Sequence, residues 1–289
     1  MKSTLICIHI MPNEIEMFEQ FISQYRKALA YLDKNDNITI KASLNLNPLL
    51  TDWENSELKQ DYFIDIFNKL FDGIPNINEI VLNECLMGTT QQKRESIKLN
   101  YDQFIFVDTD IAFHETLLKY QLEGSYQLNG KYILIPQLVK LWDNTWDVLV
   151  HDDYKNKKYG YHNQHDPQLT YNQPINTISI EQSPMIKFGC GMHTLYSKEF
   201  WNLIDIPESF GGYGSEDAFA MLASDIAIQH NIPIEQYILK GIYITENLFN
   251  REPSFNEKIK NIFSKENSKD KSWKLMNNEL LKFRNKITL

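Results

Sequence analysis

The stretch Phe104-Ile105-Phe106-Val107-Asp108-Thr109-Asp110 decides the fold of this chain. Four apolar residues bounded by polar ones are typical of a strand that is buried on both faces of a parallel sheet. Asp108 and Asp110 stand two residues apart, so their carboxylates point to the same side of an extended chain. Because open α/β sheets bind ligands at the carboxyl ends of their strands, this pair is a candidate ligand site.

The chemistry of the pair favours a hard divalent cation, since carboxylate oxygens suit Mg²⁺ or Mn²⁺ and leave positions open for substrate phosphates. The alternative is a solvated turn, because Asp-x-Asp is a common tripeptide.

Strands and helices alternate around this stretch. Apolar and β-branched runs predict strands at residues 5–10, 38–43, 79–82, 131–137, 185–188, 193–196 and 236–245. Apolar residues at helical spacing predict helices at residues 15–25, 61–71, 91–99 and 216–229. The polar run 151–174 predicts a long loop. The alternation over the first 110 residues indicates βαβ units and a mostly parallel central sheet flanked by helices.

Composition excludes several classes of protein. The chain has 289 residues, of which 43% are hydrophobic, so it can fill a core and is not disordered. A net charge of −9 disfavours nucleic acid as a partner, and it implies that a metal ion would neutralise any anionic ligand. Three distant cysteines form no disulfide framework, which favours a reducing compartment. The first ten residues resemble neither a spanning helix nor a signal peptide, so we expect a cytoplasmic protein.

A second motif, Gly211-Gly212-Tyr213-Gly214-Ser215-Glu216-Asp217, precedes the predicted helix at 216–229. Three glycines let the backbone approach a bulky ligand closely and place Tyr213 at its edge. A carboxylate fixed at the start of a helix beside a pocket can act as a general base toward a hydroxyl. The alternative is purely local: a tight turn, Ser215 as the N-cap, and acids in the first helical turn.

The two motifs, in this order, resemble those of GT-A glycosyltransferases. The nearest patterns are the family-two transferases and the galactosyltransferases whose carboxyl-terminal motif reads Gly-Trp-Gly-Gly-Glu-Asp. Residues 8–14, 88–94 and 188–200 also resemble segments of that family, so the resemblance covers residues 5–250.

The resemblance implies a single GT-A domain over residues 1–250, with a nucleotide-binding half at about 1–110 and an acceptor half at about 111–250. It implies a metal-dependent enzyme, a hexosyltransferase-like protein of polysaccharide biosynthesis. This enzyme would move a sugar from a nucleotide-diphosphate donor, with a UDP-sugar favoured, to a hydroxyl of a glycan or lipid-linked acceptor, and it would invert the anomeric centre. The alternatives are a retaining transferase, a metal-dependent phosphoesterase or nucleotidyltransferase, and a glycan-binding protein without activity.

The resemblance also implies roles for single residues. Asp217 would be the general base and Glu216 would hold acceptor hydroxyls. Mn²⁺ or Mg²⁺ would be held by Asp108 and Asp110, with Glu246, Asn247 or His193 as a further ligand. The donor would be bound by Pro12, Asn13, Glu14, Arg94, Asp108, Gly191, Gly212 and Tyr213. For Arg94 the alternative is an arginine on the surface of a helix.

The chain departs from the family pattern in three places. Ser43-Leu44-Asn45 replaces the usual Asp pair after the second strand, which puts recognition of the nucleotide base by that route in doubt. Tyr213 stands where Trp is common. No histidine follows His230, so the downstream metal-binding histidine of many relatives is missing.

The end of the chain differs in charge from the rest. Residues 251–289 hold ten Lys and Arg against five Asp and Glu. Apolar residues fall on one face of a predicted helix in this tail: Trp273, Met276, Leu280 and Ile287. This basic amphipathic extension either makes a peripheral contact with the anionic inner face of a membrane or packs on its own domain.

Overall fold

The computed structural model describes most of the chain. The described residues are 2–10, 15–33, 36–45, 65, 68, 72, 77–83, 89–139, 144–155, 165–183, 192–210, 215–247 and 269–288.

In the described part of the chain, nine strands form one sheet. They are β1 (Thr4–Ile10), β2 (Ile38–Asn45), β3 (Ile77–Asn83), β4 (Gln103–Asp108), β5 (Ile111–Phe113), β6 (Tyr132–Leu138), β7 (Ser179–Gln182), β8 (His193–Ser197) and β9 (Glu235–Glu246). Their order across the sheet is β3-β2-β1-β4-β8-β6-β9-β5, with β7 also paired to β9. β1 to β4 are mutually parallel, and β6 is parallel to β9. β8, β5 and β7 pair antiparallel with their neighbours. The predicted mostly parallel α/β sheet is confirmed.

Helices cover both faces of this sheet. They are α1 (Ile15–Ala30), α2 (Thr89–Ser96), α3 (Leu117–Ser125), α4 (Pro167–Tyr171), α5 (Lys198–Ile204), α6 (Glu216–Gln229) and α7 (Lys269–Thr288). The pleat sends successive side chains of β1 and β4 to opposite faces. Ile105 and Val107 therefore join the core under α1 and α3, whereas Phe104 and Phe106 join the core under α5, α6 and α7. The strand predicted from these four residues is thus buried on both faces.

β1 and β4 end at the same edge of the sheet, because His9 lies opposite Asp108 in their parallel register. The turn after β4 is short, and β5 begins at Ile111, directly after Asp110. Both acids of the first motif therefore lie at the carboxyl edge, where a parallel sheet binds ligands.

β9 bends sharply in its middle. Its pairing with β6 passes from Pro136↔Leu239 to Gln137↔Tyr243, so three residues of β9 have no partner in that ladder. Gly241 lies in this bulge with a φ of 85°, and its amide donates to Gln137 Oε1 at 2.9 Å. A Cβ at this position would lie 2.0 Å from the Thr177 carbonyl oxygen, so only glycine fits here.

The structure also departs from the sequence predictions. The strands β5 and β7 and the helices α3 and α5 were not predicted. The predicted loop at 151–174 is wrong in part, since α4 begins there with Asp166 as its N-cap. The rings of Tyr154, His165 and Tyr243 pack against one another, which turns this polar stretch inward. The strand predicted at 185–188 and nearly all of the helix predicted at 61–71 lie outside the described residues.

The tail helix α7 packs on the domain. Its buried residues Met276 and Phe283 belong to the same core as Phe219 of α6. Trp273 and Leu281 are left 49% and 57% exposed. The apolar face of α7 is therefore largely covered by its own chain, which is the second of the two alternatives for this tail.

No helix in the described part of the chain combines the length and apolarity that crossing a bilayer requires.

Candidate functional site

The two acidic motifs meet around one lysine. Lys93 lies on α2, and its Nζ is 2.8 Å from Glu216 Oε1 and 3.8 Å from Asp217 Oδ1 at the start of α6. The same ammonium group lies 5.7 Å from the centre of the Phe106 ring, within cation–π range. The fold thus joins α2, β4 and α6 at the carboxyl edge of the sheet.

Glu216 is fully engaged inside the protein. One carboxylate oxygen accepts from Lys93, and the other accepts from Thr90 Oγ1 at 2.7 Å. Glu216 and Lys93 are each only 5% exposed. Thr90 and Lys93 stand three residues apart, so they lie on the same face of α2 and reach the same carboxylate.

Electrostatics keep this pair charged. Burial alone would lower the pKa of Lys93, but the carboxylates of Glu216, Asp217 and Asp108 outweigh it and raise that pKa well above its ordinary value. Burial likewise opposes the ionised form of Glu216, and Lys93 and Thr90 reverse the effect and hold its pKa below the usual range. An ion pair with both partners satisfied can remain charged in the interior.

Asp217 has a different environment from its neighbour. Desolvation, together with the negative charges of Glu216 and Asp108, raises its pKa above that of an ordinary aspartate, and Lys93 opposes the rise. Its side chain keeps 40% of its surface exposed, so water moderates the effect and a ligand can reach the carboxylate. A partly exposed carboxylate with a raised pKa is suited to accept a proton.

The strand-end acids are anchored by two strands. Asp108 is half-buried and Asp110 is buried. The end of β9 runs alongside, with Glu246 opposite Ile111 in the β5 ladder. The amide of Asn247 donates to the Asp110 carbonyl oxygen at 2.5 Å. Glu246 and Asn247 are thus the residues of the late strand that come next to the pair.

Within the part of the chain that the structure describes, no three His, Cys, Asp or Glu side chains gather closely enough to form a metal-binding cluster. The oxygen pair Asp108 and Asp110 still fits Mg²⁺ or Mn²⁺, because such ions are commonly held by one or two carboxylates and complete their shell with water and phosphate oxygens.

The remaining predicted site residues have varied surroundings. His193 is fully buried, and its ring packs against those of Tyr25 and Phe113, which also contact each other; this position favours packing over metal binding. Arg94 is buried and donates from Nη1 to the Pro207 carbonyl at 3.3 Å. The other predicted donor-binding residues, Pro12, Asn13, Glu14, Gly191, Gly212 and Tyr213, lie outside the described residues.

Sequence analysis missed Thr90 and Lys93. Lys93 immediately precedes Arg94, which was selected by resemblance alone. The available signal was a hydroxyl and an ammonium three residues apart, of which only Lys93 lies in the helix predicted at 91–99, and nothing local indicates that Lys93 is buried against an acid 123 residues away.

The chain is similar to known proteins in structure but not in sequence. No protein-family model matches the chain, and no curated protein matches its sequence. Among solved structures, the chain is similar to a mannosyltransferase from Pyrobaculum calidifontis in complex with GDP-Man and Mn²⁺, with a TM-score of 0.50 and 9% identity over 86% of this chain. It is also similar to GalNAc-T7 with UDP, GalNAc and Mn²⁺, with a TM-score of 0.50 and 11% identity over 84% of this chain.

The chain has the GT-A fold. It spans 58% of the length of the mannosyltransferase and 42% of the length of GalNAc-T7. In this GT-A domain the strand-end acids follow β4 at the carboxyl edge, and the Glu-Asp pair begins α6 beside them.

Proposed function

We propose that this GT-A domain is a glycosyltransferase that moves a sugar from a nucleotide-diphosphate donor to an acceptor hydroxyl with the help of a divalent cation. One observation carries the proposal: Lys93 Nζ lies 3.8 Å from the partly exposed Asp217, and the charge of Asp108 at the end of β4 acts on both groups. The two similar GT-A structures, which contain Mn²⁺ with GDP-Man or UDP, support it.

Asp108 and Asp110 would hold the Mn²⁺ or Mg²⁺ ion, with Glu246 as the nearest further carboxylate. When bound, the ion supplies positive charge that offsets the negative charge developing on the leaving diphosphate. The site needs such a cation, because Lys93 is surrounded by the carboxylates of Glu216, Asp217 and Asp108. Lys93 alone therefore cannot neutralise a diphosphate.

Asp217 accepts the proton of the acceptor hydroxyl as that oxygen attacks the anomeric carbon. A base on the far side of the sugar from the leaving group implies a single displacement with inversion. The exposed flank of Asp217 gives the hydroxyl access to a carboxylate that can accept its proton.

Glu216 takes a positioning role in this proposal instead of the predicted contact with the acceptor. Both of its oxygens are occupied by Lys93 and Thr90. The resulting ion pair fixes the first turn of α6 against α2 and so fixes the direction of Asp217. Lys93 is the residue that connects the two helices.

We also propose the donor, the acceptor and the cellular location of the enzyme. The donor is a UDP-sugar, bound by Pro12, Asn13, Glu14, Arg94, Gly191, Gly212 and Tyr213, and the enzyme works in polysaccharide biosynthesis on a glycan or lipid-linked acceptor in the cytoplasm. The proposal does not include membrane binding by the tail, because α7 packs its apolar face on α6.

The test is a thermal-shift panel of UDP, GDP and their sugar conjugates, with and without Mn²⁺. We expect one nucleoside diphosphate to stabilise the protein only when Mn²⁺ is present. Asp110→Asn should lose this stabilisation while keeping the unliganded melting temperature close to that of the parent. Equal stabilisation of the parent and the variant would refute the metal site.

The rival functions give other results. A phosphoesterase or nucleotidyltransferase would release monophosphate or pyrophosphate from the sugar nucleotide, whereas a transferase releases the nucleoside diphosphate. NMR of the new anomeric centre separates inversion from retention. A glycan-binding protein would show no dependence on Mn²⁺.

A further inference from the structure

A groove of about 520 Å³ runs beside α1, on the opposite face of the sheet from Lys93. Three separate parts of the chain form its walls: α1, the turn before α3, and α4 with the residue after it. This volume lies within the ~300–1,000 Å³ range of small-molecule sites. α4 is the helix that replaced part of the predicted loop.

The groove is polar but has no net charge. Lys27 and Glu115 supply one charge of each sign. Burial lowers the pKa of His114, so this third ionisable group stays neutral at pH 7. The other lining residues carry amides and hydroxyls: Gln20, Ser23, Gln24, Gln168, Tyr171 and Asn172.

This lining selects a class of ligand. Amides and hydroxyls offer both donors and acceptors, which match the hydroxyl groups of a sugar. A tyrosine ring provides a flat surface against which a sugar can pack. The balance of charge gives neither a phosphate nor a cation an electrostatic reason to bind, and the polar walls disfavour an apolar ligand.

One residue connects the groove to the catalytic edge. Asn247 donates from Nδ2 to Gln20 Oε1 at 3.4 Å, and Gln20 lines the groove. The backbone amide of Asn247 donates to the Asp110 carbonyl at 2.5 Å. Asn247 therefore links the Gln20 end of the groove to the backbone of Asp110, and the groove extends from there along α1.

We propose that this groove binds an uncharged oligosaccharide, the acceptor chain of the transferase. The description of this ligand as the acceptor rests on the proposed function, whereas the groove and its chemistry do not. A chain of several sugar units lies along α1 and presents its end at the edge of the sheet that holds Asp108 and Asp110.

The test uses saturation-transfer NMR with five neutral probes: lactose, maltotriose, cellotriose, chitotriose and mannotriose. Ser23 and Ala30 are both exposed on α1, but only Ser23 lines the groove. We expect at least one probe to bind the parent and Ala30→Phe, and to lose its signal with Ser23→Phe, which fills the groove. Ser23→Phe should keep the thermal shift produced by nucleoside diphosphate and Mn²⁺.

Two outcomes overturn the proposal: no probe binds the parent, or the bound probe is unaffected by Ser23→Phe. Failure of the proposed function looks different. In that case no nucleoside diphosphate stabilises the protein with Mn²⁺, while a probe still binds the parent and loses its signal in the Ser23→Phe variant.

Discussion

Two bases are buried on opposite faces of the central sheet, and their neighbours keep one of them charged and the other neutral. Lys93 lies against Glu216 and Asp217, and these carboxylates raise its pKa well above the ordinary value. His193 packs against two aromatic rings, where burial lowers its pKa to about 3. Burial opposes the charged form of both bases, so the difference shows that the partner decides the charge.

The largest change in stability is expected when Lys93 is replaced by an uncharged residue. Lys93→Met leaves Glu216 buried without its counter-charge, and we expect a loss of about 3–5 kcal/mol in the free energy of unfolding, measured with urea. Lys93→Met/Glu216→Gln should recover a large part of this loss, because the uncompensated carboxylate is gone. Equal losses in the single and double variants would show that the two side chains are not coupled.

The second prediction concerns the exposed acid beside Lys93. Asp217→Asn should lower the rate of sugar transfer by at least ~10²-fold, or about 2.7 kcal/mol in the barrier, since the amide cannot accept the proton. Stabilisation by nucleoside diphosphate and Mn²⁺ should persist in the same variant. Near-normal turnover would remove Asp217 from the mechanism.

The third prediction tests the neutral base by pH. The unfolded chain binds a proton at His193 below pH 6.5, whereas the folded chain does so only near pH 3. Stability contributed by the neutral ring is therefore complete above pH 6.5 and falls as the pH is lowered, by about 1.4 kcal/mol per pH unit.

His193→Phe provides the control, because phenylalanine can pack against the same rings and does not titrate. Urea unfolding between pH 7.5 and 5 should give a smaller decline for this variant than for the parent. His9 is also buried with a lowered pKa and contributes a decline of the same sign in both proteins. Identical declines would mean that His193 does not titrate on unfolding.

The smallest effect is expected at the surface. Lys98 pairs with Glu95 at 2.9 Å, but their side chains are 53% and 46% exposed. Lys98→Ala should change the free energy of unfolding by no more than ~0.5 kcal/mol, because water already solvates both charges. A loss as large as that of Lys93→Met would show that burial does not explain the difference between the two lysines.

The sequence predicted the fold well where its signal was local. The apolar run ending at Asp108 marked a central strand, and Glu216–Gln229 began where the Glu-Asp motif predicted a helix. Three-residue β5 was too short to show periodicity, and its pairing with β9 depends on residues more than 130 positions away.

The candidate site was predicted only in outline. The two acidic motifs were identified. The sequence did not show that Glu216 is buried with both oxygens bound by Lys93 and Thr90, or that Asp217 stays partly exposed. These features depend on distances between helices, which no spacing along the chain reports. The groove was missed for a similar reason, since α4 lies in a polar run that predicted a loop.

The bulge at Gly241 has a consequence for how this protein can change. β9 pairs with β7 before that bulge and with β5 after it, and Asn247, the residue that follows β9, contacts both Asp110 and Gln20 of the groove. A side chain at position 241, or one residue more or less in the bend, would shift Glu246 and Asn247 along the edge of the sheet. If the proposed roles of these residues are right, one change at Gly241 would disturb the metal site and the groove together.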